Sequence, residues 1–169
     1  MKKTLMLCII AFFFIFTVMA EPAFGAEAFN ITSYNIDMTV YKDNSYAVIE
    51  TIDVSFTEQR HGIIRSLPLK TYRGKTALIS DIDVFEHKFF TDKIANNMEI
   101  RIGDPDRYAS SSQKYTIAYV YTIGDDYLKD RDELYWNLIG LDWDCTIENV
   151  TFKINMPKPF SSDRLYFTH

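Results

Sequence analysis

Residues 35–56 read NIDMTVYKDNSYAVIETIDVSF. From Asn35 to Val40, apolar and polar side chains alternate, which is the two-residue period of a strand with one buried face. The alternation resumes from Tyr46 to Phe56, and only Glu50 interrupts it. The residues between the two segments, 42–45, have the composition of a turn. This stretch therefore predicts a β-hairpin.

Shorter segments farther along the chain also have strand-like patterns. The further predicted strands cover residues 63–69, 79–85, 98–102, 115–121 and 150–156. No segment has a sustained 3.6-residue period, and only 91–97 and 127–134 could hold a single turn of helix. The spacing of strands and turns predicts an all-β fold, an antiparallel β-sandwich with an Ig-like number of strands. The chain lacks the Cys-Trp-Cys pattern of a true immunoglobulin domain.

The amino terminus has the layout of a secretory signal peptide. Two lysines precede an apolar run from Leu5 to Val18, and small residues follow it. The run is shorter than the roughly 20 residues that span a bilayer. We predict a signal peptide over residues 1–28, with Val18-Met19-Ala20 and Ala26-Glu27-Ala28 as the two candidate cleavage sites, and an extracytoplasmic domain over 29–169. The alternative is an uncleaved anchor.

Charge and cysteine content limit the classes of function. The net charge is −5 and the basic residues are scattered among acids, so no nucleic-acid partner is expected. Cys8 lies in the leader, which leaves Cys145 without a partner for an internal disulfide. We expect Cys145 to be a small buried hydrophobe, because the acids beside it disfavour a thiolate.

The motifs of common enzymes and metal sites are missing from the sequence. The three histidines, His61, His87 and His169, do not have the spacing of zinc ligands. There is no nucleophile motif and no phosphate-binding glycine loop. The sequence therefore predicts no catalytic residue, no metal and no cofactor.

Residues 132–143, DELYWNLIGLDW, contain both tryptophans and have no regular period. A run this apolar must be buried, and its polar groups then need partners. We expect it to be a structural plug against the core, and the alternative is the wall of a site. The candidate binding or structural residues in it are Asp132, Glu133, Tyr135, Trp136, Asn137 and Trp143.

Residues 60–65, RHGIIR, admit two interpretations. Arg60 and Arg65 could hold an anion, with His61 as an acid or base. Alternatively, Arg65 could pair with Asp132 or Glu133, because a planar guanidinium is the usual partner of a partly buried carboxylate. We favour the pairing, since it would satisfy the two acids at the start of residues 132–143, which we call the aromatic segment.

An acidic cluster leads into the aromatic segment and includes its first two residues. Its members are Asp125, Asp126, Asp130, Asp132 and Glu133. Calcium prefers such oxygen-rich loops, but the spacing does not match an EF-hand and cations are interleaved with the acids. A solvated acidic loop is the preferred interpretation, and a calcium-stabilised adhesion module is an alternative.

Three segments resemble one bacterial family, the predicted membrane proteins with domain of unknown function 2207. His61-Gly62-Ile63-Ile64-Arg65-Ser66-Leu67-Pro68 is similar to the family's first signature, in which a tyrosine is usual where Ile64 stands. Residues 132–140 with Trp143 are similar to the second signature. Residues 31–56 resemble the strand, turn and strand that open the family's exported domain, including its glutamate, here Glu50.

The resemblance implies a signal, an extracytoplasmic β-rich domain, transmembrane helices and a cytoplasmic tail. This chain ends at His169 before any such helix, so it would be secreted if complete and membrane-associated if not. The expected function is a non-enzymatic exported module that binds or organises a surface complex. Its partner would be the membrane-embedded portion of the same architecture or another envelope protein. The alternative is an enzyme acting on cell-envelope polymers, with His61 and Asp132 or Glu133.

Overall fold

The computed structural model of the chain describes residues 27–71, 74–124 and 133–164. Within these ranges there are eight strands and no α-helix. The strands are β1 (Phe29–Val40), β2 (Ser45–Phe56), β3 (Gly62–Pro68), β4 (Leu78–Val84), β5 (Phe89–Ile94), β6 (Asn97–Gly103), β7 (Ser112–Thr122) and β8 (Val150–Asn155). A short 3-10 turn follows at Ser162–Arg164. The predicted all-β class is confirmed, whereas most of the predicted leader lies outside the described residues.

The strands form two sheets. One has five strands in the order β4-β7-β2-β1-β8, and the other has three in the order β3-β6-β5. All pairs are antiparallel except β1 with β8, which is parallel. The prediction of purely antiparallel pairing was therefore wrong at this edge, because β8 follows residues 133–149, which contain no helix or strand, rather than a hairpin turn.

The predicted hairpin forms the centre of the larger sheet. Strands β1 and β2 pair along their whole length, with Val40 opposite Tyr46 at the turn end. In the turn, the Asp43 carboxylate accepts bonds from the backbone N–H and hydroxyl of Ser45 at 3.1 and 2.6 Å. Asn44 has a φ of 59°, a left-handed conformation that asparagine tolerates. Local turn chemistry thus fixes the register that puts alternate side chains in the core.

Alternation along the strands produces one buried layer. The core side chains come from both sheets, and they include Tyr34, Ile36, Met38, Tyr46, Val48, Ile52, Val54, Ile63, Leu67, Ile100, Ile102, Tyr115, Ile117, Tyr119 and Tyr121. Only two charged side chains are buried among them, Glu50 and Arg65, within the part of the chain that the structure describes.

Neither of the two candidate helical turns contains helix among the described residues. Residues 91–94 belong to β5, and 94–97 form the turn into β6, so the helical alternative at 91–97 was wrong. Strand β5 is largely exposed on both faces, so its sequence does not alternate between apolar and polar residues. Of the second candidate, 127–134, only Glu133 and Leu134 are described, and neither is helical. Among the described residues, no helix has the length and apolar character to cross a membrane.

Candidate functional site

The two buried charges meet between the sheets. Glu50 is fully buried at an inward position of β2, and Arg65 is 3% exposed at an inward position of β3. Arg65 Nε donates to Glu50 Oε2 at 2.7 Å, and Arg65 Nη2 donates to Oε1 at 2.8 Å. This is the bidentate geometry in which guanidinium and carboxylate planes match. The pair links the five-stranded sheet to the three-stranded sheet.

Further hydrogen bonds satisfy the remaining oxygen lone pairs of Glu50 and the third nitrogen of Arg65. The hydroxyl of Tyr34 on β1 donates to Glu50 Oε2, and that of Tyr119 on β7 donates to Oε1, each at 2.7 Å. Arg65 Nη1 donates to the carbonyl of Ser66 at 2.7 Å. Glu50 therefore accepts four hydrogen bonds from three strands. A buried charge pair is tolerated when its remaining donors and acceptors are satisfied in this way.

The environment keeps both groups ionised. Burial alone would raise the pKa of the Glu50 carboxyl, but the Arg65 charge and the bonds from Arg65, Tyr119 and Tyr34 outweigh it and hold the pKa below its ordinary value. Burial would lower the pKa of Arg65, and the Glu50 charge raises it above its ordinary value instead. The pKa of Tyr34 is raised by burial and then by Glu50, so its hydroxyl stays a donor.

We expect the stability of the chain to fall in acid partly because of Glu50. Its pKa is lower in the folded than in the unfolded chain, where the ordinary value is 4.5. The contribution is therefore fully present above that pH and is lost as the pH falls through the folded pKa. The measurement is the unfolding free energy of wild type and Glu50→Gln from neutral to acid pH. The gap between them should narrow below about pH 4.5. A constant gap would contradict the assignment.

Residues 139–143 of the aromatic segment cover the pair. The ring of Trp143 lies 6.0 Å from Arg65 Cζ and 6.1 Å, edge to face, from the ring of Tyr34. Trp143 Nε1 donates to the carbonyl of Ile139 at 3.0 Å. Gly140 has a φ of +85°, and a Cβ there would lie 2.7 Å from Arg65 Nη1. Glycine is needed at this position because the backbone both turns left-handed and approaches the guanidinium closely.

The other tryptophan packs on stacked tyrosines. Tyr46 and Tyr121 lie parallel, with ring centroids 6.3 Å apart, and Trp136 meets both edge to face at 5.6 and 4.7 Å. The Tyr121 hydroxyl donates to the carbonyl of Pro68 at 2.8 Å, which is a second bond between the two sheets. Trp136 Nε1 is buried and has no partner among the described residues. The expectation that the whole run is buried was wrong, because no side chain of residues 133–143 is fully buried and Leu141 is 88% exposed. The side chains that pack half-buried against the core are Leu134, Trp136, Leu138, Ile139 and Trp143.

Arg65 pairs with a carboxylate that was not among its predicted partners. The carboxylate that binds Arg65 is Glu50. The predicted partners were Asp132 or Glu133, of which Asp132 lies outside the described residues. The sequence placed Asp132 and Glu133 beside the aromatic segment, but a strand position across the core supplies the carboxylate instead. The side-chain oxygen Oδ1 of Asn137 accepts the backbone N–H of Gly140 at 3.2 Å, and Tyr135 is 57% exposed.

Arg60 and His61 belong to the surface and not to the buried pair. The Arg60 side chain is 51% exposed and lies 4.0 Å from Glu58. His61 Nδ1 lies 2.9 Å from the carbonyl of Arg107, and the ring stacks on Tyr108 with centroids 4.5 Å apart. The structure therefore separates these two residues from Arg65, although all three fall within six positions of sequence.

A cleft opens between the end of β3 and the aromatic segment. Its volume is about 340 Å³. Its walls are mostly apolar, and they include Leu67, Pro68, Tyr121, Ile123, Trp136 and Leu141. Lys70, Lys75, Glu133 and Asp142 also line it. A cleft with apolar walls and a few charged groups is the usual form of a binding site.

Metal ligands are not gathered in the described part of the chain. Residues 27–71, 74–124 and 133–164 contain no group of three histidine, cysteine or acidic side chains placed to hold an ion. Most of the acidic cluster proposed for calcium, residues 125–132, lies outside these ranges. Cys145 is a free thiol, and burial raises its pKa to about 11.

Sequence reasoning missed Glu50, Tyr34 and Tyr119 as members of the site. A usable signal was present, because Glu50 has the same strand parity as Val48 and Ile52 and therefore points into the core. A buried carboxylate requires a cation, and Arg65 has the same inward parity on its own strand. The two tyrosines carried no such signal, since any inward tyrosine could belong to the core.

Comparison with known proteins gives one strong match and several weak ones. Residues 30–169 match the model of the family described as "Predicted membrane protein (DUF2207) N-terminal domain". No curated protein sequence matches significantly.

Two solved structures illustrate the weak matches. An M1 zinc metallopeptidase from Deinococcus radiodurans is 14% identical, with a TM-score of 0.37 over 57% of this chain and 20% of the peptidase. Leukotriene A4 hydrolase from Saccharomyces cerevisiae is 9% identical, with a TM-score of 0.38 over 55% of this chain and 15% of the hydrolase. This chain thus spans a small part of either protein, and similarities this low carry no argument about fold or activity.

Proposed function

This chain belongs to the family described as predicted membrane protein (DUF2207) N-terminal domain, and from that membership we propose that it is the outward-facing, non-enzymatic module of a bacterial membrane protein. The module binds a partner through the cleft beside the aromatic segment. The partner is the membrane-embedded portion of the same architecture or another envelope protein.

The closed ion pair is the observation that carries this proposal. A general acid or base must exchange a proton with a substrate at hydrogen-bond distance. Glu50 is buried, has a lowered pKa and already accepts four hydrogen bonds. This buried polar cluster therefore holds the domain together and leaves the cleft as the surface for recognition.

Two bonds between the sheets favour a β-sandwich as the finer description of the fold. The Glu50–Arg65 pair joins β2 to β3, and the bond from Tyr121 to Pro68 joins β7 to β3. In a sandwich these contacts would fix one layer over the other, because side chains from the two inner faces make the core. A layer held by directional bonds gives the cleft a fixed shape, which lowers the entropic cost of binding.

Cysteine labelling in intact cells tests location and binding together. Leu141 lines the cleft and is 88% exposed, while Leu78 on β4 is 62% exposed and lies outside the cleft lining. Each is changed to cysteine in a Cys145→Ser background, and its reaction with a membrane-impermeant maleimide is timed. We expect both to react in intact cells. Leu141→Cys should react at least roughly tenfold more slowly in cells than in the purified chain, because a partner excludes the reagent.

The matched position distinguishes the two claims. Leu78→Cys should react at the same rate in both settings. If neither cysteine reacts until the cells are lysed, the module does not face outward. If Leu141→Cys reacts equally fast in cells and in purified protein, the cleft is not the binding surface.

A further inference from the structure

Residues 27 and 28 continue the central hairpin beyond the start of β1. The carbonyl of Ala28 accepts the backbone N–H groups of Thr57 and Glu58 at 3.1 and 3.2 Å. The hydroxyl of Thr57 donates to the carbonyl of Glu27. Next to them, the rings of Phe29 and Phe56 pack with centroids 5.8 Å apart. The β1–β2 pairing therefore extends two residues upstream of Phe29.

The other side of the same segment is held by the approach to β8. The Glu27 carboxylate accepts the backbone N–H of Thr146 at 2.8 Å and its hydroxyl at 3.0 Å. The backbone N–H of Ile31 donates to the carbonyl of Thr146 at 2.9 Å. Glu27 thus fastens the end of the long irregular segment to the first strand, just before the parallel pairing with β8 begins.

We propose that the leader is cleaved N-terminal to Glu27, at the Val18-Met19-Ala20 site, so that the mature chain begins at Glu21 and keeps Glu27 and Ala28. The proposal rests on the proposed export. In the reaction, a leader peptidase of the export pathway adds water across the Ala20–Glu21 peptide bond. The products are a carboxyl group on Ala20 and an amino group on Glu21.

The competing site would remove part of the fold. Ala26-Glu27-Ala28 places the cleaved bond between Ala28 and Phe29, which removes the acceptors of Thr57, Glu58 and Thr146. It also puts a charged amino group on Phe29 in place of a peptide bond.

The position of the apolar run supports the same choice. The run ends at Val18, and Val18-Met19-Ala20 follows it directly, as expected of the small-residue site that ends a signal peptide. The second motif stands farther from the run. The sequence pattern therefore favours Val18-Met19-Ala20, and the contacts of Glu27 argue independently against the second site.

Mass spectrometry of the exported chain from a bacterial host tests the proposal. We expect a first residue of Glu21. Ala20→Glu should cause the precursor to accumulate, while the matched change Ala26→Glu should leave processing unaffected, because a large charged residue destroys whichever small-residue site is used. A first residue after Glu27, or processing that Ala26→Glu blocks and Ala20→Glu does not, would overturn the proposal.

The outcomes separate this proposal from the proposed export. An exported chain that begins at Phe29 overturns only the cleavage site. A chain that keeps Met1 and remains in the cytoplasm overturns both.

A second readout uses the lone thiol of the mature chain. Burial raises the pKa of Cys145 to about 11, and the charges of Asp144 and Glu27 add to the effect. A purified chain that begins at Phe29 should therefore be alkylated faster at Cys145 than one that begins at Glu21, and it should melt at a temperature several degrees lower. Equal alkylation rates and equal melting temperatures would show that Glu27 and Ala28 are dispensable, which would overturn the structural ground for the proposal.

Discussion

Replacing Arg65 with alanine is expected to lower the free energy of unfolding by about 3–5 kcal/mol. The change leaves the Glu50 carboxylate buried with only the hydroxyls of Tyr34 and Tyr119 as donors. Removing one partner of a buried pair is costly because the other charge has already lost its hydration. Urea unfolding followed by circular dichroism measures the loss.

Arg60→Ala is the matched control for this prediction. Arg60 lies five residues away, is 51% exposed in its side chain and reaches Glu58 only at 4.0 Å. Exposed ion pairs contribute about 0–1 kcal/mol, so this variant should stay close to wild type. A loss below about 1 kcal/mol for Arg65→Ala, or equal losses for the two arginines, would contradict a structural role for the buried pair.

Gly140→Ala is expected to cost about 2–4 kcal/mol. Two effects add. A side chain at a φ of +85° is strained, and its Cβ would lie 2.7 Å from Arg65 Nη1, which must then shift and weaken its bond to the carbonyl of Ser66. The same unfolding measurement applies.

Gly74→Ala separates the two effects. Gly74 has a similar φ of +75°, but an added Cβ there meets nothing within 4 Å. It should therefore show the backbone cost alone, and Gly140→Ala should lose clearly more. In an Arg65→Ala background the excess at Gly140 should disappear, because the clashing nitrogen is gone. An excess that persists there would mean that Gly140 acts through something other than Arg65.

The central hairpin was predictable because its signals are local. Alternation from Asn35 to Val40 and from Tyr46 to Phe56, with turn residues between, determines both strands and their register. The parallel pairing of β1 with β8 was not predictable in the same way. It joins Tyr34 to Val150, which are far apart in sequence, and no local pattern encodes which edge a strand will join.

Several residues of the site were named from the sequence, but the carboxylate that pairs with Arg65 was not identified. Arg65, Trp136 and Trp143 were named as binding or structural candidates, and the structure buries Arg65 and packs both tryptophans against the core. Arg65 was, however, assigned an acid close to the tryptophans in sequence. The actual acid, Glu50, was noted as a break in the alternation of β2 and as the glutamate of the family's opening hairpin, but it was not assigned to Arg65. Parity would have identified it, since a charged residue at an inward strand position must find its counter-charge inside.

Both family signatures contribute residues to the buried ion pair or to the segment that covers it. The first supplies Arg65, and the second supplies Gly140 and Trp143, which lie against the guanidinium. The glutamate of the opening hairpin completes the set. Three segments of the sequence therefore meet at one ion pair, and we interpret their motifs as requirements of folding.

A double-mutant cycle between Glu50 and Arg65 tests this account most directly. Unfolding free energies are measured for wild type, Glu50→Gln, Arg65→Met and the double variant, at neutral pH. We predict a coupling energy of about 2–3 kcal/mol, because each single change strands a buried group and the double change strands neither charge. A coupling energy within about 0.5 kcal/mol of zero would show that the two residues act independently, and would contradict the account.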